Sequence, residues 1–124
     1  MDTTSADRAE APAPPPLRSR HTENFPALLA GLGVSVAVTT YQAGKLVLLR
    51  SEGDRVNTHF RDLPRPMGLA GDATRLAVGT ALEIRQYRNM TPACRRLDPP
   101  GRHDACFLPR AGHVTGDIDV HEMT

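Results

Sequence analysis

From Val34 onward, the chain is built from short stretches with the two-residue hydrophobic period of β-strands, separated by turns. Three such stretches come first, at residues 34–39, 45–50 and 56–61. The second of them, KLVLLR, is nearly continuous apolar sequence, which is typical of a strand buried on both faces. The turns between them, at 42–44 and 51–54, each contain a glycine, which tolerates the positive φ angle of a tight turn. We therefore predict three consecutive strands.

A second succession of short strands lies in the string PMGLAGDATRLAVGTALEIRQYRN, at residues 66–89. We predict strands there at Met67–Ala70, Leu76–Thr80 and Ile84–Tyr87. Short strands at regular spacing with turns between them indicate a sandwich, a barrel or a propeller. The order of GLA, an acidic turn, LAVGT and I-x-x-Y favours the three inner strands of a propeller blade. Residues 34–61 would then be the outer three strands of the preceding blade.

The remaining C-terminal sequence contains one long break and two further strand-like stretches. Residues 89–103 hold three prolines and one glycine without periodicity, so we predict a loop. The stretch ACFL, at 105–108, is predicted to be the outer strand of the second blade. Residues 116–123 alternate again, and we expect them to open a third blade.

The N-terminal end has a different composition. Residues 1–20 are rich in Pro and Ala, and their only large apolar side chains are Met1 and Leu17. Such a segment cannot bury enough surface to offset its ordering entropy, so we predict a disordered tail. A short helix follows, with Asn24 as its cap and Gly33 at its end. Its apolar residues share one face at helical spacing: Phe25, Leu28, Leu29 and Leu32.

The fold class predicted from these patterns is all-β: a partial β-propeller of about two blades of antiparallel strands, with a short N-terminal helix and a disordered Pro/Ala tail. Propellers are stable because about four to eight blades close a ring and bury each other's faces. We therefore expect residues 21–124 to be the N-terminal fragment of a propeller-like domain. The alternative is a complete small barrel or sandwich, in which the last strand pairs back within the chain.

Composition narrows the class of protein. The formal net charge is +1, which argues against a general nucleic-acid binder, because that role needs a clear basic excess. No apolar run approaches the ~20 residues that span a bilayer, so we expect no membrane partner. Two cysteines are too few for a disulfide framework. These features predict a soluble cytoplasmic protein with reduced thiols.

Several longer strings carry a resemblance to a known family. They are ENFPALLAGLGVSVAVTTYQAGKLVLL, NTHF, RPMGLA, LAVGT, LDPPGRHDACFLPR and HVTGDIDVHEM. Together they resemble a family of bacterial conserved hypothetical proteins, a domain of unknown function whose members are β-propeller-like. The resemblance runs from about Glu23 to Met123, and it implies further blades beyond this chain. It implies no activity, so it assigns no catalytic residue.

One group of residues is a candidate metal site. Asp117, Asp119 and His121 are spaced by two, which places their side chains on one face of a strand. Carboxylates and an imidazole are suitable ligands for a hard divalent cation or for zinc. The competing interpretation is a polar channel wall, which is ordinary in ring-shaped folds.

Three other groups have simpler explanations than a functional one. The set Cys94, His103, Cys106 and His113 suggests zinc, but its spacing matches no common zinc module, and a packed Cys106 with an exposed Cys94 is simpler. The loop Tyr41–Lys45 suggests a ligand contact, although a hairpin turn explains it. Residues 85–110 carry six arginines against two aspartates, which suits a phosphate or an acidic partner but also a solvated loop.

Two functions remain open at this point, and the sequence leaves undecided whether the protein is an enzyme. The first is a non-enzymatic propeller module that binds a protein or a small-molecule ligand. The alternative is part of a metal-dependent propeller hydrolase, similar to a lactonase, with the channel site at Asp117, Asp119 and His121. No cofactor is identified by any motif.

Overall fold

The computed structural model describes residues 17–124. The predicted disordered tail at 1–20 therefore lies almost wholly outside the described residues. Its last four residues, 17–20, are exposed and lie outside any helix or strand. The described chain forms one helix, α1 (Phe25–Leu32), and seven strands: β1 (Val36–Thr40), β2 (Lys45–Glu52), β3 (Arg55–Asp62), β4 (Leu69–Gly71), β5 (Arg75–Gly79), β6 (Glu83–Asn89) and β7 (Phe107–Val114). A 3₁₀ helix, Thr91–Arg96, lies between the last two strands.

The first sheet confirms the three strands predicted at residues 34–61. Its strand order is β1-β2-β3, and both pairings are antiparallel. Gly44 and Gly53 lie in the two turns with φ angles of +61° and +65°, a conformation that side chains disfavour. A Cβ atom at Gly44 would also lie 3.1 Å from the Leu63 carbonyl oxygen. The glycine in each turn thus has the backbone role that the sequence indicates.

The second sheet is a four-stranded antiparallel meander in the order β4-β5-β6-β7. All three strands predicted at residues 67–87 are present, with ends displaced by one or two residues. The outer strand is present too, but it begins at Phe107 and continues to Val114, well beyond the predicted end at 108. Asn89 holds the intervening loop, because its Oδ1 accepts the Cys106 amide at 2.9 Å and its amide donates to the Ala73 carbonyl at 2.9 Å.

The core lies between the two sheets. Leu46 of β2, Leu63 just after β3 and Val78 of β5 form its centre, with exposed fractions of 4%, 4% and 0%. Partly buried residues from both sheets surround this centre: Ala37, Leu69, Leu76 and Tyr87. Thr39 Oγ1 also donates a hydrogen bond to the Met67 carbonyl at 2.8 Å, which connects the first sheet to the segment that precedes β4. Adjacent sheets packed in this way are consistent with neighbouring blades.

The prediction that β2 is buried on both faces is wrong. Within residues 45–50 only Leu46 is buried, and the other apolar side chains of the run are half-buried. Alternate residues of a strand project to opposite faces, and only the face that carries Leu46 is directed at the second sheet.

Helix α1 packs against β2 and β3, but its predicted apolar face is only partly buried. Pro26 and Leu29 are buried, whereas Leu28 and Leu32 are exposed. Since the helix has only two turns, it contacts the sheet along one narrow stripe. It ends at Gly33, whose left-handed conformation lets its amide bond back to the last turn.

The C-terminal segment, residues 115–124, contains no strand, so the predicted opening strand at 116–123 is wrong. Its two-residue alternation is interrupted because Gly116 and Asp119 have positive φ angles of +80° and +47°. The segment instead lies across β4 and β5. The Val120 carbonyl accepts the Gly68 amide at 2.9 Å, and the Ile118 amide donates to the Ala81 carbonyl at 3.2 Å.

Within residues 17–124 the two sheets share no strand pairing and do not close on each other. The all-β prediction with a short N-terminal helix is therefore confirmed, and the arrangement is consistent with part of a propeller. No helix in this part of the chain has the length and apolar character needed to cross a membrane.

The turn between β4 and β5 depends on Asp72. Its Oδ1 accepts hydrogen bonds from the Thr74 amide at 2.7 Å, the Thr74 hydroxyl at 2.7 Å and the Arg75 amide at 2.9 Å. These bonds lower the pKa of Asp72 from 3.8 to about 2, and the bond from the Thr74 hydroxyl has the largest effect. They stabilise the ionised carboxylate in the folded state.

We expect Asp72→Ala to lower the melting temperature at pH 7. The pKa of Asp72 is depressed by folding, so its contribution is fully present above about pH 4 and is lost as the pH falls towards 2. The difference between wild type and variant, measured by thermal melts at pH 7, 4 and 2, should therefore shrink with acidity. Asp54→Ala is the control, because Asp54 is exposed and its ion pair with Arg55 is 4.0 Å long. A difference that stays constant with pH would contradict this role.

Candidate functional site

The structure brings two of the three predicted metal ligands together, but around a cation. Arg65 donates from Nη2 to Asp117 Oδ1 at 2.8 Å and from Nη1 to Asp119 Oδ2 at 3.4 Å. The pKa of Arg65 is raised most by a hydrogen bond with the Tyr41 side chain and, to a smaller extent, by the bond with Asp117. The two carboxylates thus anchor the C-terminal segment to the connection between the sheets.

His121 lies outside this cluster in the contacts of the described chain, in which no three or more His, Cys, Asp or Glu side chains converge as metal ligands. The three side chains would share one face only on a continuous strand. The left-handed backbone at Asp119 prevents such a strand from forming here. Asp119 Oδ1 is buried without a hydrogen-bond partner among the described residues. Metal binding by Asp117, Asp119 and His121 stays a prediction.

The cysteines and histidines of the possible zinc set also have separate surroundings. Cys94 is buried in the 3₁₀ helix, and Cys106 is half-buried, which reverses the expected exposure of the two thiols. His103 Nε2 lies 3.2 Å from the Asp98 carbonyl oxygen, and its Nδ1 lies 3.5 Å from Arg50 Nη1. His113 is paired within the second sheet, opposite Ile84.

The Tyr41–Lys45 loop is used in structural contacts. The Gly44 carbonyl accepts the Leu63 amide at 3.0 Å, and Lys45 forms an ion pair with Asp62. Its tyrosine contacts Arg65, as described above. These contacts favour the hairpin interpretation of the loop.

An open cavity of about 820 Å³ lies on the second sheet. Three arginines line it, one from each of three successive strands: Arg75 of β5, Arg88 of β6 and Arg110 of β7. Arg75 and Arg88 are directly opposite in the antiparallel register, so their side chains leave the same face of the sheet. Val78 is three residues from Arg75 on β5, so it projects to the opposite face, where it packs into the core. The arginine face is therefore the one directed away from the first sheet.

Small and polar side chains form the floor of this cavity. Ala70, Ala77 and Gln86 lie in one row across β4, β5 and β6, since each is directly opposite the next. Two alanines leave space beneath the longer arginine side chains. Arg110 reaches the cavity from the irregularity in the β6–β7 pairing, where Ala111 is opposite Gln86 and Pro109 is opposite the next residue. A bulge of this kind redirects one side chain.

The three arginines of the cavity form no ion pair among residues 17–124. The arginines that do form such pairs are Arg55, Arg65, Arg85 and Arg102. Asp72 is the single acidic residue that lines the cavity, and its Oδ1 already accepts three hydrogen bonds from its own turn. The cavity lining therefore carries three arginine charges against the one negative charge of Asp72, which leaves an excess of positive charge.

A second cavity, of about 410 Å³, has balanced charges in its lining, with Arg50 and Arg102 against Glu52 and Asp98. Its Glu52 accepts a hydrogen bond from Asn57 at 3.0 Å and one from Arg102 at 3.3 Å. The bond with Asn57, more than the charge of Arg102, lowers the pKa of Glu52. Because the charges of this lining balance and Glu52 is paired with Arg102, the larger cavity is the better candidate for a ligand.

Sequence reasoning noticed part of this site without locating it. The arginine excess at 85–110 includes Arg88 and Arg110, but it also includes Arg85, which pairs with Glu83, and Arg102, which pairs with Glu52. Arg75 lies outside that window. The available signal was the spacing of thirteen residues between Arg75 and Arg88 across a predicted hairpin, which the register places opposite each other.

Comparison with known proteins defines the family. No curated protein and no solved structure matches the chain. The sequence model of a family described as "Domain of unknown function (DUF4915)" matches residues 23–124. This range agrees with the resemblance to a domain of unknown function found in the sequence strings, and the chain belongs to this family.

Proposed function

We propose that the chain is a non-enzymatic binding module of propeller-like architecture, which binds its ligand in the open cavity of the second sheet. The observation that carries this proposal is the cavity itself, in which three arginines without ion-pair partners surround a floor of small side chains. Its volume is within the range of about 300–1,000 Å³ that is usual for small-molecule sites.

The scaffold supports a binding role because the lining residues come from paired strands. Side chains on a hydrogen-bonded sheet are held more precisely than side chains on loops. The opposite face of the same sheet contributes Val78 to the core, so the strand that carries Arg75 is fixed by packing. In contrast, Asp117 and Asp119 are engaged by Arg65, where they hold a chain segment.

The test is native mass spectrometry of the purified protein after exposure to a small-molecule extract. Wild type is expected to carry a one-to-one adduct. Ala77→Phe places a large ring on the cavity floor and should abolish the adduct without altering any arginine. Val38→Phe is the matched control, because Val38 is exposed on the first sheet, outside the cavity. No adduct in wild type, or an adduct that persists in Ala77→Phe, would contradict the proposal.

The metal-dependent hydrolase alternative predicts a different result. We expect purified wild type and His121→Ala to contain the same substoichiometric amount of metal after incubation with Zn²⁺, Ca²⁺ or Mn²⁺. Neither protein should hydrolyse a lactone panel faster than buffer does. A stoichiometric metal that His121→Ala removes, together with lactone hydrolysis, would overturn the non-enzymatic proposal and support ligation by Asp117, Asp119 and His121.

A further inference from the structure

We infer that the ligand of the arginine-lined cavity is a small multivalent anion with phosphate or carboxylate groups. This inference rests on the proposed binding function and specifies the chemistry of its ligand. It is carried by the placement of Arg75, Arg88 and Arg110 around one cavity whose lining has a single carboxylate side chain, that of Asp72.

Arg75 and Arg88 lie directly opposite each other on β5 and β6. Residues directly opposite in an antiparallel pair have Cβ atoms about 4.5–5.5 Å apart, and like charges at this distance destabilise the sheet. Elsewhere in the same sheet, Arg85 is accompanied by Glu83. Of these two arginines, Arg75 interacts with the charge of Asp72, whereas Arg88 forms no ion pair among residues 17–124. A bound anion between the two guanidinium groups would offset the repulsion that remains.

The number and type of hydrogen-bond donors in the cavity also favour a multivalent anion. Each guanidinium presents a planar fork of N–H donors that matches a carboxylate or phosphate in a bidentate geometry. Three such groups from β5, β6 and β7 can contact different oxygens of one ligand. The Gln86 side chain, on the cavity floor between them, adds an amide donor. A ligand with a single negative charge would leave two guanidinium groups without a partner.

The charge of the chain favours a small anion over an extended polyanion. The three arginines lie within one cavity, and the chain as a whole has a formal net charge of only +1. Long polyanions are bound through extended basic patches, which raise the net charge of a domain. The cavity of about 820 Å³ suits a compact molecule that carries two or more anionic groups.

The experiment is isothermal titration calorimetry with two probes, pyrophosphate and citrate, at low ionic strength. Binding of both probes would assign recognition to charge, and binding of one would assign it to phosphate or to carboxylate groups. We expect Arg88→Gln and Arg110→Gln each to raise the Kd about tenfold or more, because a hydrogen bond to a charged group is lost in each case. Arg88→Lys, which keeps the charge but loses the fork, should raise it less.

The matched control is Arg55→Gln, an exposed arginine at the start of β3 that lies outside the cavity and should leave the Kd unchanged. A second readout is the thermal melt. Without probe, Arg88→Gln should melt at the temperature of wild type or above it, because a like-charge pair is removed. With probe, wild type should be stabilised and the variant should not.

Two failures can be told apart. Binding of neither probe at millimolar concentration, or equal losses in Arg88→Gln and Arg55→Gln, would overturn the anion inference. If the extract adduct is then still present in wild type and absent in Ala77→Phe, the binding module stands with a different ligand class. If that adduct is missing as well, the proposed function fails together with the inference.

Discussion

Leu46→Ala is expected to lower the free energy of unfolding by about 2–5 kcal/mol, the usual cost of truncating a buried leucine to alanine. Leu46 is 4% exposed and lies at the centre of the core between the two sheets, with Leu63 and Val78. Its removal leaves a cavity that both sheets border, so their mutual packing should weaken. Urea denaturation followed by circular dichroism measures the change.

The control for this substitution is Leu82→Ala, which removes the same atoms from a side chain that is 49% exposed in the turn before β6. We expect a change within about 0.5 kcal/mol there, as for other surface substitutions. Equal effects at the two positions would show that the interface between the sheets does not stabilise the fold.

Gly79→Ala is expected to cost about 1–3 kcal/mol and to displace the C-terminal segment, because overpacking of a close contact is destabilising. A Cβ atom at Gly79 would lie 2.7 Å from the Cβ of Val120 and 3.1 Å from its carbonyl oxygen. That carbonyl accepts the Gly68 amide at 2.9 Å. Hydrogen exchange of the Gly68 amide should therefore become faster in the variant.

Gly31→Ala makes the same chemical change in helix α1, where a new Cβ would meet no atom within 4 Å. It should stabilise the protein by up to about 1 kcal/mol, since glycine disfavours the interior of a helix. Exchange at Gly68 should be unaffected. If Gly79→Ala leaves that exchange rate at its wild-type value, the segment does not depend on the close approach of Val120.

The packed sheets explain how a chain with few aromatic residues can hold a defined cavity. One face of the second sheet supplies Leu76, Val78 and Tyr87 to the core. The other face displays Arg75 and Arg88, and alternation along the strands gives each face its own composition. Leu76 and Tyr87 also border the cavity, so the same strands supply both the core and the cavity lining.

The local elements could be predicted because their signals are local. Alternation at residues 34–61 and 66–89 predicted six strands, and glycines at 44 and 53 marked two of the turns, each with the positive φ angle that a glycine permits. The family resemblance followed from uninterrupted strings, and residues 23–124 match a family model. The strand prediction at 116–123 was wrong, because Asp119 has a positive φ there and the next residue, Val120, packs against Gly68 and Gly79, which are distant in the sequence.

The sequence by itself determined the strands, their turns and the short helix, because these depend on hydrophobic period and on glycine conformation within a few residues. Only the tertiary structure decided which charges remain without a partner. It pairs Arg65 with two aspartates, Arg85 with Glu83 and Arg102 with Glu52, contacts that include separations of about fifty residues. It also fixes the strand register that places Arg75 directly opposite Arg88 across the β5–β6 hairpin.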